Sequence, residues 1–435
     1  MSEKTMFVLR AVPIDGDDTA EASTVTPMTT RGQVRGMPTR RLAPLKLEVR
    51  DETSAERHEK PHQIIGTIDD PLPLSVIEPV RLDKTRQGLG AEAKTTEAAA
   101  SGQSDADATA IEAAKDRGTA WGIHALKLNS DTPYNGAGVT VAILDTGINR
   151  SHAAFAGMGD NLIEKDFTGE GNGDEHGHGT HCAGTLFGRD FDDGDGRTVR
   201  IGVAPGVERA LIGKVIGGKA GLKELILALD WAFNEGADII AMSLGFDIYK
   251  ALEFKDADIP TAARLVNTFR DNVRLFDTYM QFRFAGEAMG QRALVFAATG
   301  NVSNRDQYVV SKLSPAAAIG ILSVGAVGPA DDDTLKIAYF SNTQPDLVGP
   351  GVGIVSAGLG ERDFSVMDGT SQACPHVAGL AALHWEQAAE GLQKHERVST
   401  QIVAAALRAS AARVKAKSFP GAATDDIGAG MPGVP

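Results

Sequence analysis

The chain has 435 residues, a formal net charge of −14, 42% apolar residues, 49 glycines and 2 cysteines. That length supports one large core plus smaller parts, while the acidic balance and the lack of a basic cluster with interleaved aromatics argue against nucleic acid as a partner. Two cysteines exclude a disulfide scaffold and a zinc site built on thiolates alone.

Taken in order, residues 1–85 carry short strand-like runs at Met6–Leu9, Leu45–Val49 and Gln63–Ile68 around a polar stretch. They read as a small strand-rich or α+β N-terminal region. The start, Met1-Ser2-Glu3-Lys4-Thr5, lacks a basic n-region followed by an apolar stretch and a cleavage site. No apolar run reaches membrane-spanning length. The expectation is a cytoplasmic protein, or one exported by an unusual route, with no membrane partner. Residues 86–117, rich in Ala, Thr, Ser, Gly and Asp, read as a flexible linker able to carry a processing site; a solvated helix at a domain edge is the alternative.

Residues 118–435 read as an α/β domain. Val139–Leu144, Ala210–Val215, Ala237–Met242, Ala293–Ala298, Ile321–Val327 and Leu347–Val348 are apolar strand runs. Between and after them, Leu222–Asn234, with Leu222, Leu225, Ile226 and Leu229 on one side, Ser371–Glu386 and Thr400–Ala412 have helical character. The alternation predicts a mostly parallel sheet covered on both faces, with chemistry at the carboxyl ends of its strands.

Three separated segments stand out: Asp145-Thr146-Gly147 at the end of a strand, His178-Gly179-Thr180-His181 at the start of a helix, and Gly369-Thr370-Ser371 leading into Pro375-His376-Val377-Ala378-Gly379. Acyl transfer needs a nucleophile, a base to take its proton and a group that orients the base. Ser371, His178 and Asp145 are the candidates for those roles. Singly, Ser371 is a helix cap and Asp145 a turn residue; the conjunction carries the weight. His176, His178 and His181 with Asp174 and Glu175 form an alternative metal cluster, which leaves the aspartate and serine motifs unexplained.

All three motifs resemble those of the subtilisin-like serine peptidases (subtilases), over roughly residues 121–430. The resemblance implies a three-layer catalytic domain with a mostly parallel central sheet. It also implies a serine endopeptidase acting on protein or peptide substrates, with no cofactor or metal for the chemistry. A catalytically silent scaffold with an inherited fold is the alternative; an esterase lacks its Gly-x-Ser-x-Gly elbow here.

By the same resemblance, Asn301 after Thr299-Gly300 supplies an amide to the oxyanion hole together with the Ser371 N–H. Ser243-Leu244-Gly245, with Thr299 and Gly300, lines the substrate cleft. Phe246 and Asp247 replace a second glycine, which crowds or acidifies its mouth. The added segment 246–292 lies near the cleft, where it restricts substrates, binds a partner or enlarges the core. The acidic loop Asp190, Asp192, Asp193 and Asp195 stands where the family often holds structural calcium, although Ala154-Phe155 occupies the place of the usual aspartate partner; a plain turn is the alternative. Cys182 and Cys374 read as packed, reduced thiols. Gln372 stands where many bacterial relatives have methionine, which predicts resistance to oxidation. Such enzymes are usually made as zymogens, so residues 1–85 are expected to act as a prodomain that inhibits the cleft in cis, or as an accessory domain.

Overall fold

The computed structural model describes residues 6–13, 45–52, 64–68, 74–76, 104–218, 220–246, 248, 259–285, 293–305, 307–330, 334–393, 397–419 and 422–435. The N-terminal part contributes strands β1 (Met6–Pro13), β2 (Leu45–Glu52) and β3 (Ile64–Ile68) in an antiparallel sheet of order β2-β1-β3. A two-residue strand, β4 (Leu74–Ser75), follows.

Residues 105–117, read from sequence as part of a linker with a helix at the domain edge as the alternative, form helix α1 (Asp105–Arg117). Its N-terminus is closed by a capping box, in which the Ser104 hydroxyl takes the Asp107 N–H and the Asp107 carboxylate takes the Ser104 N–H. Only Ile111 and Ala114 are buried, which is why its apolar pattern is faint. Ion pairs then fix it: Lys115 with Asp193 and Asp195, and Arg197 with Glu112 and Asp116.

The rest is an α/β domain. Its strands are β5 (Thr140–Asp145), β6 (Leu162–Asp166), β7 (Arg209–Lys214), β8 (Ile239–Met242), β10 (Leu294–Ala298), β11 (Ile321–Pro329), β12 (Leu335–Ile337) and β13 (Leu347–Pro350); a short β9 (Gly245–Phe246) stands outside the sheet. The order is β12-β11-β10-β8-β5-β7-β6, with β13 also paired to β11, and only the β11–β12 pair is antiparallel. Alternation along the strands sends residues to two separate cores. Val141, Ile143, Ile239 and Ala241 enter one apolar cluster; Ala142, Leu144, Ile240 and Met242 enter the other.

The first face is covered by α2 (His178–Phe187), by α5 (Thr370–Ala389) and by α6 (Thr400–Ser418); the second by α3 (Leu222–Asn234) and α4 (Ile259–Ala285). Helix α4 lies within the added segment 246–292 and packs its apolar side into the second core. Arg283 near its C-terminal end is buried, pairs with Asp230 of α3, and stacks over Phe233 and Tyr279. The N-terminal sheet lies against this side too, β3 on α4 and β2 on α3. Among the described residues no helix is long and apolar enough to cross a membrane.

Candidate active site

Three neighbouring parallel strands deliver the site. Leu144 of β5, Met242 of β8 and Ala297 of β10 lie level in the register. Asp145, Ser243 and the Thr299-Gly300-Asn301 turn therefore emerge side by side at the carboxyl edge. Ser371 reaches the same edge from the N-terminal end of α5, and His178 from that of α2.

Asp145 is fully buried, and its Oδ1 meets His178 Nδ1 at 2.7 Å. Burial alone would depress the His178 pKa, but the Asp145 carboxylate overrides it and holds the imidazole well above its ordinary range. Cys182, one helical turn on, has Sγ 3.9 Å from the same ring nitrogen. Burial pushes its thiol up, so it stays neutral and Asp145 supplies the charge.

The loop before α2 is built around Asp174, whose role the motifs do not reveal. Its carboxylate accepts from the Thr146 hydroxyl (3.0 Å), the N–H of His176 (2.9 Å), Gly177 (2.8 Å) and Thr180 (2.9 Å), and the Thr180 hydroxyl (2.7 Å). Burial opposes its charge, but those donors outweigh it and lower its pKa. A carboxylate here also meets the positive end of the helix dipole. Thr146 completes the brace by accepting the Gly179 N–H at 2.8 Å. Gly147 has φ 109°, and a methyl group there would stand 2.1 Å from the Gly173 carbonyl oxygen, so only glycine lets the strand turn under this loop.

Helix α5 contains Pro375, which has no N–H to offer the carbonyl four residues back. That carbonyl belongs to Ser371. It accepts instead from the Ser243 hydroxyl at 2.7 Å and the Cys182 thiol at 3.5 Å. The proline thus ties the Ser371 backbone to the Ser243 segment and to the histidine helix. The Ser371 hydroxyl donates to the Ser243 carbonyl at 3.2 Å, while His178 Nε2 is buried without a partner among the described residues.

Asn301 Oδ1 accepts from both the N–H and hydroxyl of Thr370, each at 2.8 Å. This fixes the amide with Nδ2 on the Gly369 side. A methyl group on Gly369 would stand 3.2 Å from Asn301 Nδ2 and 3.5 Å from the Ser371 nitrogen. Glycine keeps that cradle open, and the Ser371 N–H, in the first turn of α5, has no intrahelical acceptor. Thr299 is buried beneath, and the Gly300 N–H donates to the Thr370 hydroxyl at 3.1 Å.

Ser243 and Leu244 are buried, and Gly245–Phe246 forms β9, which is already paired. Antiparallel β4 lies along it, with Ser75 opposite Gly245 and Leu74 opposite Phe246. Phe246 does not crowd an open mouth: its ring is buried in the second core beside Phe276 and shares that cluster with Leu74. Asp247 lies outside the described residues.

The other histidines separate cleanly. His181 Nε2 meets the Ile354 carbonyl at 2.9 Å, and burial pushes its pKa down to about 3. His176 stands edge-on to His178, centroids 6.2 Å apart. With Asp174 saturated by donors, the alternative metal cluster does not assemble. In the acidic loop, Asp192, Asp193 and Asp195 do converge. The Lys115 ammonium sits among them, Asp195 also holds Arg197, and the Asp192 carboxylate takes the N–H groups of Gly194 and Gly196. Cations of the chain thus neutralise Asp193 and Asp195, Asp192 closes the turn on its own N–H groups, and Asp193 Oδ1 is buried without a partner among the described residues. Cys374, donating to the Met242 carbonyl at 3.9 Å, is a buried thiol pushed up by burial.

The family model described as "Subtilase family" matches residues 136–430. The major intracellular serine protease of Bacillus subtilis is 31% identical over 270 residues, covering 60% of this chain and 72% of that protein. A cuticle-degrading serine protease of Arthrobotrys oligospora is 31% identical over 291 residues, covering 64% of this chain but only 58% of its own length. Among solved structures, the S41 psychrophilic protease matches with a TM-score of 0.50 at 25% identity, covering 72% of this chain and 98% of that one. Sphericase, with a TM-score of 0.51 at 24% identity over 72% of this chain and 98% of its own, shares the fold.

Proposed function

The chain belongs to the subtilase family, and from that premise we propose that it is a serine endopeptidase in which Asp145, His178 and Ser371 form the triad. The observation that carries this reading is the buried Asp145–His178 hydrogen bond, set at the strand edge where Ser371 also emerges. Ser371 Oγ attacks the substrate carbonyl carbon as its proton passes to His178 Nε2. The carbonyl π pair moves onto oxygen, which enters the cradle of Asn301 Nδ2 and the Ser371 N–H. Collapse breaks the C–N bond, and His178 returns the proton to the leaving amine. Water then repeats the sequence on the acyl-serine, restoring Ser371. Asp145 holds the imidazole tautomer and stabilises the imidazolium. Family members need no cofactor for these steps.

Ser243-Leu244-Gly245 is proposed to pair with extended substrates by strand addition. We further propose that the N-terminal region blocks the cleft in cis. The β4–β9 pairing supports this, because β4 lies where a substrate strand would add. Running antiparallel, β4 is directed from Phe246 past Gly245, toward the Ser243 end of that segment. Self-cleavage is therefore proposed C-terminal to Val76 and before the docked helix α1, upstream of much of the 86–117 stretch. Labelling with a peptidyl phosphonate, mapped by mass spectrometry, tests the reading. A single adduct on Ser371 that disappears in His178→Ala is expected; a cleaved chain that takes no adduct would contradict it.

A further inference from the structure

We propose that Gln372 is a third donor of the oxyanion hole, an inference that rests on the peptidase reading above. Gln372 follows the nucleophile on α5 and is 1% exposed. Its backbone is fixed on both sides: its N–H donates to the Gly369 carbonyl at 3.1 Å, and its carbonyl meets His376 Nδ1 at 2.7 Å. Only the side chain has freedom, and it points at the cradle. The position a Gly369 methyl would take is 2.7 Å from Gln372 Oε1, closer than to Asn301 Nδ2 (3.2 Å) or the Ser371 nitrogen (3.5 Å). Three polar groups thus lie around one point beside Gly369, which places the Gln372 amide next to the two donors of the cradle.

In the resting arrangement the amide presents Oε1 to that point, and Nε2 donates to Met367 Sδ at 3.7 Å. A thioether is a weak acceptor. A half-turn of the terminal amide exchanges the two ends at the cost of that one weak bond, and this torsion is soft and roughly two-fold. When the carbonyl oxygen becomes anionic, Oε1 facing it is repulsive and Nε2–H facing it is attractive. The developing charge therefore selects the turned amide. Because the turn costs part of the gain, the contribution falls below that of a preorganised donor, which is worth about 10²–10³ in kcat. An effect of roughly 10- to 100-fold is expected, carried by a neutral N–H bond to a charged oxygen.

The test uses mature enzyme and two substitutions. Gln372→Met keeps the volume and removes the donor. Gln372→Glu keeps the shape and replaces the donor with an acceptor. For each, kcat and KM on a peptide substrate are measured with the affinities for a peptide aldehyde, whose adduct places an anionic oxygen in the hole, and for the amine-side product peptide, which does not. Expected is a fall in kcat and aldehyde affinity in step, roughly 10- to 100-fold for Gln372→Met and more for Gln372→Glu, with KM and product affinity unchanged. A Gln372→Met enzyme with wild-type kcat and aldehyde affinity would overturn the proposal. Equal loss of aldehyde and product affinity would also overturn it, by showing a packing role. If Gln372→Met does not fold, Gln372→Leu, which also removes the donor without adding charge, takes its place. A wild type that neither cleaves peptide nor forms the aldehyde adduct would instead sink the peptidase reading, and this inference with it.

Discussion

Replacing Leu74 with aspartate probes whether the chain's own strand holds the cleft shut. Leu74 is 9% exposed and packs in the cluster that contains Phe246, Leu244 and Met242. Burying a leucine side chain is worth about 1.5–3 kcal/mol. At about 1.4 kcal/mol per factor of ten, losing it shifts the open-to-closed ratio roughly 10- to 150-fold, and desolvation of a carboxylate adds to that. Ser371 in the uncleaved chain then becomes accessible more often by the same factor. The assay is the initial rate of labelling by a fluorophosphonate, with intact-mass analysis counting only uncleaved molecules. Ile402→Asp is the control, because Ile402 is 62% exposed on α6. A rise of that size in Leu74→Asp, absent in the control, is expected. An unchanged rate in a folded Leu74→Asp chain would refute occupation of the cleft by β4.

Asp145→Asn should lower kcat by about 10⁴ with little change in KM, because the amide imposes the wrong histidine tautomer; steady-state kinetics on the mature enzyme check this. His178 must be neutral to act as base, and its pKa is raised. The acid limb of the kcat/KM profile should therefore lie above the ordinary histidine value of about 6.5, and a limb below that value would count against the Asp145 pairing. Asp174 has a lowered folded pKa, so its stabilisation is full above the unfolded carboxylate value and is lost as pH falls through the depressed folded one. Asp174→Asn should be less stable than wild type at neutral pH, with the gap narrowing below pH about 4; denaturant titrations across pH report it.

What could be read from sequence was what is local. Asp145 closes an apolar strand, His178 and Ser371 open helices, and each motif carries its own turn chemistry, so the strand-edge placement of the site followed from chain order and the parallel-sheet rule. Groups satisfied only by distant partners were harder. Asp174 read only as a ligand of the alternative metal cluster, although an aspartate three residues before a glycine N-cap was a usable signal. Pro375 inside a helix marked a carbonyl in need of a donor, but not that Ser243 and Cys182 would supply it. Strand β4 has two residues and no periodicity; its conformation is set by β9. Helix α1 was obscured because ion pairs rather than an apolar stripe fix it, while Ser104-Asp105-Ala106-Asp107 carried its capping signature.

The most direct measurement is intact mass and protein-substrate cleavage for wild type and Ser371→Ala over prolonged incubation. Expected is loss of an N-terminal fragment by a cut C-terminal to Val76, together with substrate hydrolysis, both absent in Ser371→Ala. Processing and hydrolysis that persist in Ser371→Ala would contradict the assignment of Ser371 as the nucleophile.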